Sequence, residues 1–268
     1  MQNLKELIHM RTNSRVSGTY KRKTESEIMN EVEGNLTGYD CRVCRNKGVV
    51  YSETDYGETV FSRCKCWEKR KSLARIQGSG LKDLLDRYTF DKFECSEMFQ
   101  LKIKEKALQF VKDKNKRGFF IGGQVGCGKS HICTAIVREF LVEQGIETLY
   151  MQWKGDSARL KGIVNTENYP YEVEKYKNVP VLYIDDLFKT ETGKVPTSAD
   201  INLAFEIINH RYISNNLITI ISTEKLPGEL IDIDEAVASR IIEMCRGYVL
   251  PVEYQKGRNY RLRSTAFI

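Results

Sequence analysis

The sequence predicts an α/β protein: a parallel sheet flanked by helices, preceded by a small cysteine-bearing module. Three observations carry that expectation. From residue 118 to residue 252, short apolar runs alternate with helix-periodic segments, the pattern of strands joined by helical crossovers. The first of these runs, Phe119-Phe120-Ile121, leads into Gly123-Gln124-Val125-Gly126-Cys127-Gly128-Lys129-Ser130 and then an apolar-periodic stretch from His131. That is a full G-x-x-x-x-G-K-[ST] pattern in its required strand–loop–helix context. Upstream, Cys41-x-x-Cys44 and Cys64-x-Cys66 lie in a segment too small to bury a core of its own.

Taken in order, residues 1–38 are polar, with Leu4, Leu7 and Ile8, then Ile28, Met29 and Val32, at helix-compatible spacings. Residues 14–24 read as a linker. Two short strands are expected over 49–51 and 59–61, beside Gly48 and Gly57. A helix over 67–76 stops at Gly78-Ser79-Gly80, and another over 97–114 leads to the first strand of the main sheet, 118–122. Helix 129–144 is closed by Gly145 as a C-cap. Strand 148–152, a helical stretch around 157–164, strand 181–184, helix 199–214, strand 217–222, helix 235–243 and strand 247–252 complete the series.

The chain of 268 residues is 41% hydrophobic and 29% charged, the composition of an ordinary folded protein. No apolar run approaches the roughly 18 residues of a membrane span, and the N-terminus lacks a secretory apolar core. A cytoplasmic location without membrane contact is therefore expected, with the eight cysteines reduced. The net charge of +6 is uneven: residues 1–80 carry 15 Lys/Arg against 10 Asp/Glu, and residues 81–268 carry 27 against 26. The surplus is densest in Arg63-Cys64-Lys65-Cys66-Trp67-Glu68-Lys69-Arg70-Lys71. It suits nucleic acid or an acidic partner, though such runs are also ordinary solvated faces.

The glycine-rich loop wraps backbone N–H groups around phosphate oxygens, and the helix that follows points its positive end at the same anion. Gly123 to Ser130 are accordingly the expected nucleotide contacts. Lys129 reaches the β- and γ-phosphates of ATP, and the Ser130 hydroxyl ligates Mg²⁺. Cys127 contributes its backbone N–H, not its sulfur. The alternative is an accidental Gly-rich turn. The run Val181-Leu182-Tyr183-Ile184-Asp185-Asp186 is an apolar strand ending in two carboxylates, and ligands bind at the carboxyl ends of parallel strands. Asp185 is placed to hold Mg²⁺ opposite Ser130, and Asp186 to orient or deprotonate the attacking water. The alternative there is a plain strand with a polar turn. Strand 217–222 ends in Thr223-Glu224, where a polar side chain could meet the γ-phosphate or the water. For Arg240 and Arg261, stabilisation of transition-state charge and a surface ion pair are both open.

Two thiol pairs 19 residues apart satisfy tetrahedral Zn²⁺. Cys41, Cys44, Cys64 and Cys66 are the expected ligands, against an Fe–S centre or four unrelated thiols. Cys95, Cys127, Cys133 and Cys245 follow no pairing pattern and read as small apolar residues.

Together these features resemble one family, the bacterial and phage replicative helicase loaders of the AAA+ class. The resemblance rests on Cys66-Trp67-Glu68-Lys69-Arg70 running into Ser79-Gly80-Leu81, on Gly123 to His131, and on Tyr183-Ile184-Asp185-Asp186-Leu187. It extends through the helix Phe205 to Tyr212 with its following strand, Ala238-Ser239-Arg240-Ile241-Ile242-Glu243, and Gly257 to Tyr260-Arg261. The resemblance implies an AAA+ P-loop ATPase fold over residues 81–268 and a helicase-interaction and zinc module over 1–80. It implies that His131 belongs to the nucleotide-binding loop, that Arg240 is an arginine finger acting on a neighbouring subunit, and that Arg261 touches the γ-phosphate in its own site. It also implies docking onto a hexameric replicative DNA helicase, self-assembly through the ATPase domain, and contact with single-stranded DNA. One position departs from the family pattern, which has Asn at the tip of the sensor strand: here it is Glu224. A carboxylate repels the γ-phosphate or takes over water positioning, leaving Thr223 as the alternative sensor.

The expected function is ATP-dependent loading of a replicative helicase onto single-stranded DNA. A transposition helper ATPase has a near-identical core but generally lacks the four-cysteine module. A zinc-dependent single-strand-binding regulator, with ATP as ligand only, is the third reading.

Overall fold

The computed structural model describes residues 23–77, 81–191 and 194–262. The helix-compatible spacing of Leu4, Leu7 and Ile8, most of the expected linker and the Gly78-Ser79-Gly80 stop lie outside them. The chain divides into two compact units, Met1–Cys64 and Lys65–Ile268.

In the first unit, helix α1 (Glu25–Glu31) begins at a capping box in which Thr24 and Glu27 satisfy each other's backbone N–H groups. An antiparallel hairpin follows, β1 (Val49–Glu53) and β2 (Thr59–Arg63). The Asn30 side chain ties helix to hairpin, donating to the Tyr51 carbonyl at 2.8 Å and accepting from the Tyr51 N–H at 3.0 Å.

The second unit opens with α2 (Cys66–Gln77), α3 (Leu81–Arg87) and α4 (Met98–Lys112). Strand β3 (Gly118–Gly123) and helix α5 (Lys129–Arg138) follow, then a π-helical turn, Glu139–Glu143. Next come β4 (Thr148–Gln152), α6 (Trp153–Gly162), α7 (Asn168–Asn178), β5 (Val181–Asp185) and α8 (Ser198–Ile213). The series ends with β6 (Ile218–Thr223), α9 (Pro227–Ile233), α10 (Glu235–Met244) and β7 (Val249–Val252). The five strands form one parallel sheet in the order β4-β5-β6-β3-β7. One buried cluster, built on Ile103, Phe110, Ile132 and Phe140, fills one face. A second, built on Trp153, Leu160, Ile207 and Ile241, fills the other. Coverage on both faces explains why the strands read as continuous apolar runs.

The expected α/β architecture and the alternation of strands and helices hold, with local corrections. The helix expected over 129–144 ends as α-helix at Arg138. The Gln144 N–H then reaches back five residues to the Glu139 carbonyl at 3.0 Å, a π-type bond. Helices α3, α7 and α9 do not follow from the apolar pattern. Pro170 and Pro227 each sit in a first turn, where the missing N–H has no partner to lose.

The strand order is what assembles a site. β6 lies between β3 and β5, with Gly122 opposite Thr223 and Ile184 opposite Ile221. The end of β3, the tip of β6 and the Asp185-Asp186 turn after β5 therefore come together at one edge of the sheet.

Candidate functional site

The loop between β3 and α5 is shaped by close approach as much as by backbone freedom. Gly126 has φ +74°, and a Cβ there would stand 1.9 Å from Asn259 Oδ1. Gly128, the N-cap of α5, has φ +98°. A Cβ there would meet the Phe93 ring at 2.9 Å. Neither position tolerates a side chain. Lys129 is buried, and its ammonium donates to the Gly123 and Gln124 carbonyls at 2.8 and 2.7 Å, closing the loop on itself. Burial holds its pKa below the usual lysine value.

Asp185 ends β5 inside a ring of hydroxyl donors. Its Oδ1 accepts from Ser222 at 2.5 Å, Tyr183 at 2.7 Å and Ser130 at 3.3 Å, and its Oδ2 from Tyr150 at 2.9 Å. Burial first, and then the charge of Asp185, push the phenol pKa values of Tyr150 and Tyr183 up, so both stay protonated donors. The Ser130 hydroxyl and the Asp185 carboxylate are hard oxygen donors facing each other, a set that fits Mg²⁺. The following turn is strained: Asp186 and Phe188 both have positive φ, +56° and +60°. It is pinned by the Leu187 N–H on the Ser222 carbonyl at 2.9 Å and by Thr223 Oγ1 donating to the Leu187 carbonyl at 2.7 Å.

A cavity of about 260 Å³ joins these parts. Its wall includes residues 125–131, Asp186, Lys189, Glu224, Tyr260 and Arg261. The segment after β7 passes over the phosphate loop. Gln124 donates to the Gln255 carbonyl and accepts from its N–H, and the Tyr260 N–H donates to the Gly126 carbonyl at 3.0 Å. That path brings Arg261 to the cavity. His131 stacks on Tyr88 with ring centroids 4.6 Å apart and pairs its Nε2 with the Thr89 carbonyl at 2.9 Å. Lys189 forms ion pairs with Asp186 at 2.9 Å and Glu224 at 2.6 Å. Although burial opposes its charge, those hydrogen bonds raise its pKa.

The expected residues therefore separate. Residues 125–131, Asp186 and Arg261 line the cavity, while Asp185 meets it through Ser130. Thr223 differs from its expected place: it is fully buried, its hydroxyl is spent on backbone groups of Leu187 and Lys225, and Glu224 lines the cavity instead. Arg240 is outside that wall, on α10. Its Nε donates to Asn209 Oδ1 at 2.9 Å, and its guanidinium lies 4.9 Å from the Phe205 ring centroid. Sequence reading misses Lys189, Tyr88, Phe93, Tyr150, Tyr183, Ser222 and Asn259. One signal is present in the sequence: Tyr183 precedes Asp185 by two residues and shares its strand face.

The sulfurs of Cys41, Cys44, Cys64 and Cys66 all lie within 4.8 Å of one another and are buried. Cys41 and Cys64 are 3.8 Å apart, sulfur to sulfur. That is far longer than the roughly 2.05 Å of a disulfide and close to the separation across a tetrahedron with metal–sulfur bonds of about 2.3 Å. The Gly48 N–H points at Cys44 Sγ at 3.3 Å, and Arg45 and Asn46 turn the loop with positive φ. The donor set fits Zn²⁺.

Comparison with known proteins supplies the family. The model of the bacterial DnaA ATPase domain matches residues 84–245. The phage-like element PBSX protein XkdC of Bacillus subtilis strain 168 is 28% identical over 252 residues, covering 86% of this chain and 87% of that protein. Among solved structures, the DnaC helicase loader superposes with a TM-score of 0.52 at 20% identity, over 63% of this chain and 97% of that one. The replication initiator DnaA bound to AMPPCP and single-stranded DNA does so with 0.52 at 22% identity, over 63% of this chain and 50% of that one. At such identities the superpositions speak for the fold alone. Among the described residues, no helix is long and apolar enough to cross a membrane. The chain belongs to the bacterial DnaA ATPase-domain family and is a replication-related AAA+ ATPase.

Proposed function

We propose that this protein uses ATP to load a hexameric replicative DNA helicase onto single-stranded DNA. The observation that carries the reading is a basic N-terminal region with a four-thiol cluster, Cys41 to Cys66, upstream of the DnaA-type ATPase match over residues 84–245, whose likeness extends to the DnaC helicase loader. Residues 1–80 dock the helicase, Cys41, Cys44, Cys64 and Cys66 hold one structural Zn²⁺, and residues 81–268 bind ATP, self-assemble and contact single-stranded DNA.

In the ATPase unit, backbone N–H groups of residues 125–131 cradle the phosphates, while Gly123 and Gln124 shape the loop from outside the cavity wall. Lys129 exchanges its loop carbonyls for β- and γ-phosphate oxygens. Ser130 and Asp185 would hold Mg²⁺, which when bound would offset phosphate charge, and Asp186 orients the attacking water. Arg261 reaches the γ-phosphate of its own site. Arg240, turned away from that cavity, acts on the site of a neighbouring copy, where an arginine supplied in trans is worth about 10³-fold or more in rate. Arg240→Ala should therefore keep ATP affinity and lose hydrolysis only where chains assemble. Mixing it with Lys129→Ala chains should restore part of the rate.

The test is a pull-down of a replicative helicase with the full chain, with and without ATP, followed by helicase transfer to single-stranded DNA. ATP-dependent transfer is expected. Failure to retain any replicative helicase from the cognate host would refute the loader reading while leaving the ATPase intact.

A further inference from the structure

Glu224 presents a problem of charge. It faces the cavity where a triphosphate would bring several negative charges, at a position where a carboxylate should repel the terminal phosphate. The chain at the tip of β6 runs close to the end of β3, where a Cβ on Gly122 would stand 2.2 Å from the Lys225 carbonyl, and the Glu224 carboxylate is held by Lys189 at 2.6 Å.

The structure offers the compensating group. Lys189 lies four residues beyond Asp185, at the end of the strained Asp186–Phe188 turn, with its own N–H on the Asp186 carbonyl at 2.9 Å. Two left-handed residues and the pinning bonds from Ser222 and Thr223 aim it at the same cavity that Lys129, Ser130 and Arg261 line. Its ammonium bridges Asp186 Oδ2 and Glu224 Oε1. An ammonium has three rotatable donors, so two can hold the carboxylates while the third meets a phosphate oxygen.

We propose that Lys189 is a further γ-phosphate contact in this chain, beside Lys129 and Arg261, neutralising Glu224 and donating to the terminal phosphate from the Asp186–Glu224 bridge. Glu224 is then a positioning residue that acts through Lys189. The strained turn carries the cation into place. The proposal rests on the reading of this cavity as the ATP site.

The test is fluorescent-nucleotide titration of the full chain with ATP and with ADP, each with Mg²⁺. Lys189→Met should weaken ATP by about 10- to 100-fold, the size of a lost charge-assisted contact, and ADP by less than about threefold. Lys189→Gln, which keeps hydrogen bonding and removes the charge, should show the same selective loss. Lys189→Arg should largely preserve selectivity. Lys189→Met combined with Glu224→Gln should recover part of the ATP affinity, because the unneutralised carboxylate is gone. Equal losses for ATP and ADP, or no loss, in both the Met and Gln variants would overturn the proposal provided that Lys129→Ala abolishes ATP binding. If Lys129→Ala keeps its ATP affinity, the ATP-site reading itself falls, and the proposal with it.

Discussion

Two buried cations occupy opposite ends of the same sheet and do different work. Arg211, on α8, has no solvent exposure, and its guanidinium is surrounded by neutral acceptors. Nε donates to Thr219 Oγ1 at 2.9 Å, one terminal nitrogen to the carbonyls of Tyr176, Lys177 and Val179, and the other to that of Ile218 at 2.7 Å. These bonds cap the C-terminal end of α7 and tie it to the start of β6, an arrangement that suits a cation at a helix C-terminus. Burial pulls its pKa down to about 9, which still leaves it charged at neutral pH. Lys129 is buried too, but it holds only loop carbonyls that a phosphate can replace, and its surroundings open into a cavity. A buried charge is thus structural when protein acceptors saturate it and functional when its partners are exchangeable.

Substitution should separate the two roles. Arg211→Met leaves several buried carbonyls without a donor, at roughly 1–3 kcal/mol each before relaxation, so urea unfolding should show a stability loss well beyond that of Lys129→Ala. A loss below about 1 kcal/mol would break the comparison. Next comes the cysteine cluster. Purified protein should carry about one Zn²⁺ per chain. Its removal by a chelator should unfold the segment around β1 and β2 while leaving nucleotide affinity in place, checked by elemental analysis and hydrogen exchange. Full zinc occupancy in a Cys64→Ser/Cys66→Ser protein would contradict the assignment. The smallest effect belongs to the hydroxyl ring on Asp185. Tyr183→Phe should cost about 1 kcal/mol in stability and raise the Mg²⁺ concentration needed for half-maximal hydrolysis. An unchanged Mg²⁺ requirement would confine Tyr183 to packing.

The same contrast explains which parts of the site are legible in the sequence. The phosphate loop is legible because its chemistry is contiguous: eight residues carry the turn, the cation and the hydroxyl. The Asp185-Asp186 turn is legible because an apolar run ends there in two carboxylates, and ligands bind at the carboxyl ends of parallel strands. Lys189, Tyr150 and Ser222 are not, because their roles arise only from strand register, with β6 inserted between β3 and β5 and Tyr150 opposite Tyr183. Asn259 and Tyr260 reach Gly126 only after the chain has crossed the whole sheet. Which of Thr223 and Glu224 faces the cavity is hidden from the sequence for a related reason. Strand alternation turns successive side chains to opposite faces, and at the tip of β6 Glu224, rather than Thr223, faces the cavity.

The most direct measurement is equilibrium titration of Mg²⁺ and a fluorescent ATP analogue into the native chain and into Lys129→Ala, with thermal unfolding recorded for both. The expected result is a loss of affinity of about 100-fold or more in the variant at a nearly unchanged melting temperature, because the cation is exchangeable rather than structural. Retained ATP affinity, or a collapse of stability like that expected for Arg211→Met, would contradict the assignment of Lys129 and of the cavity it lines.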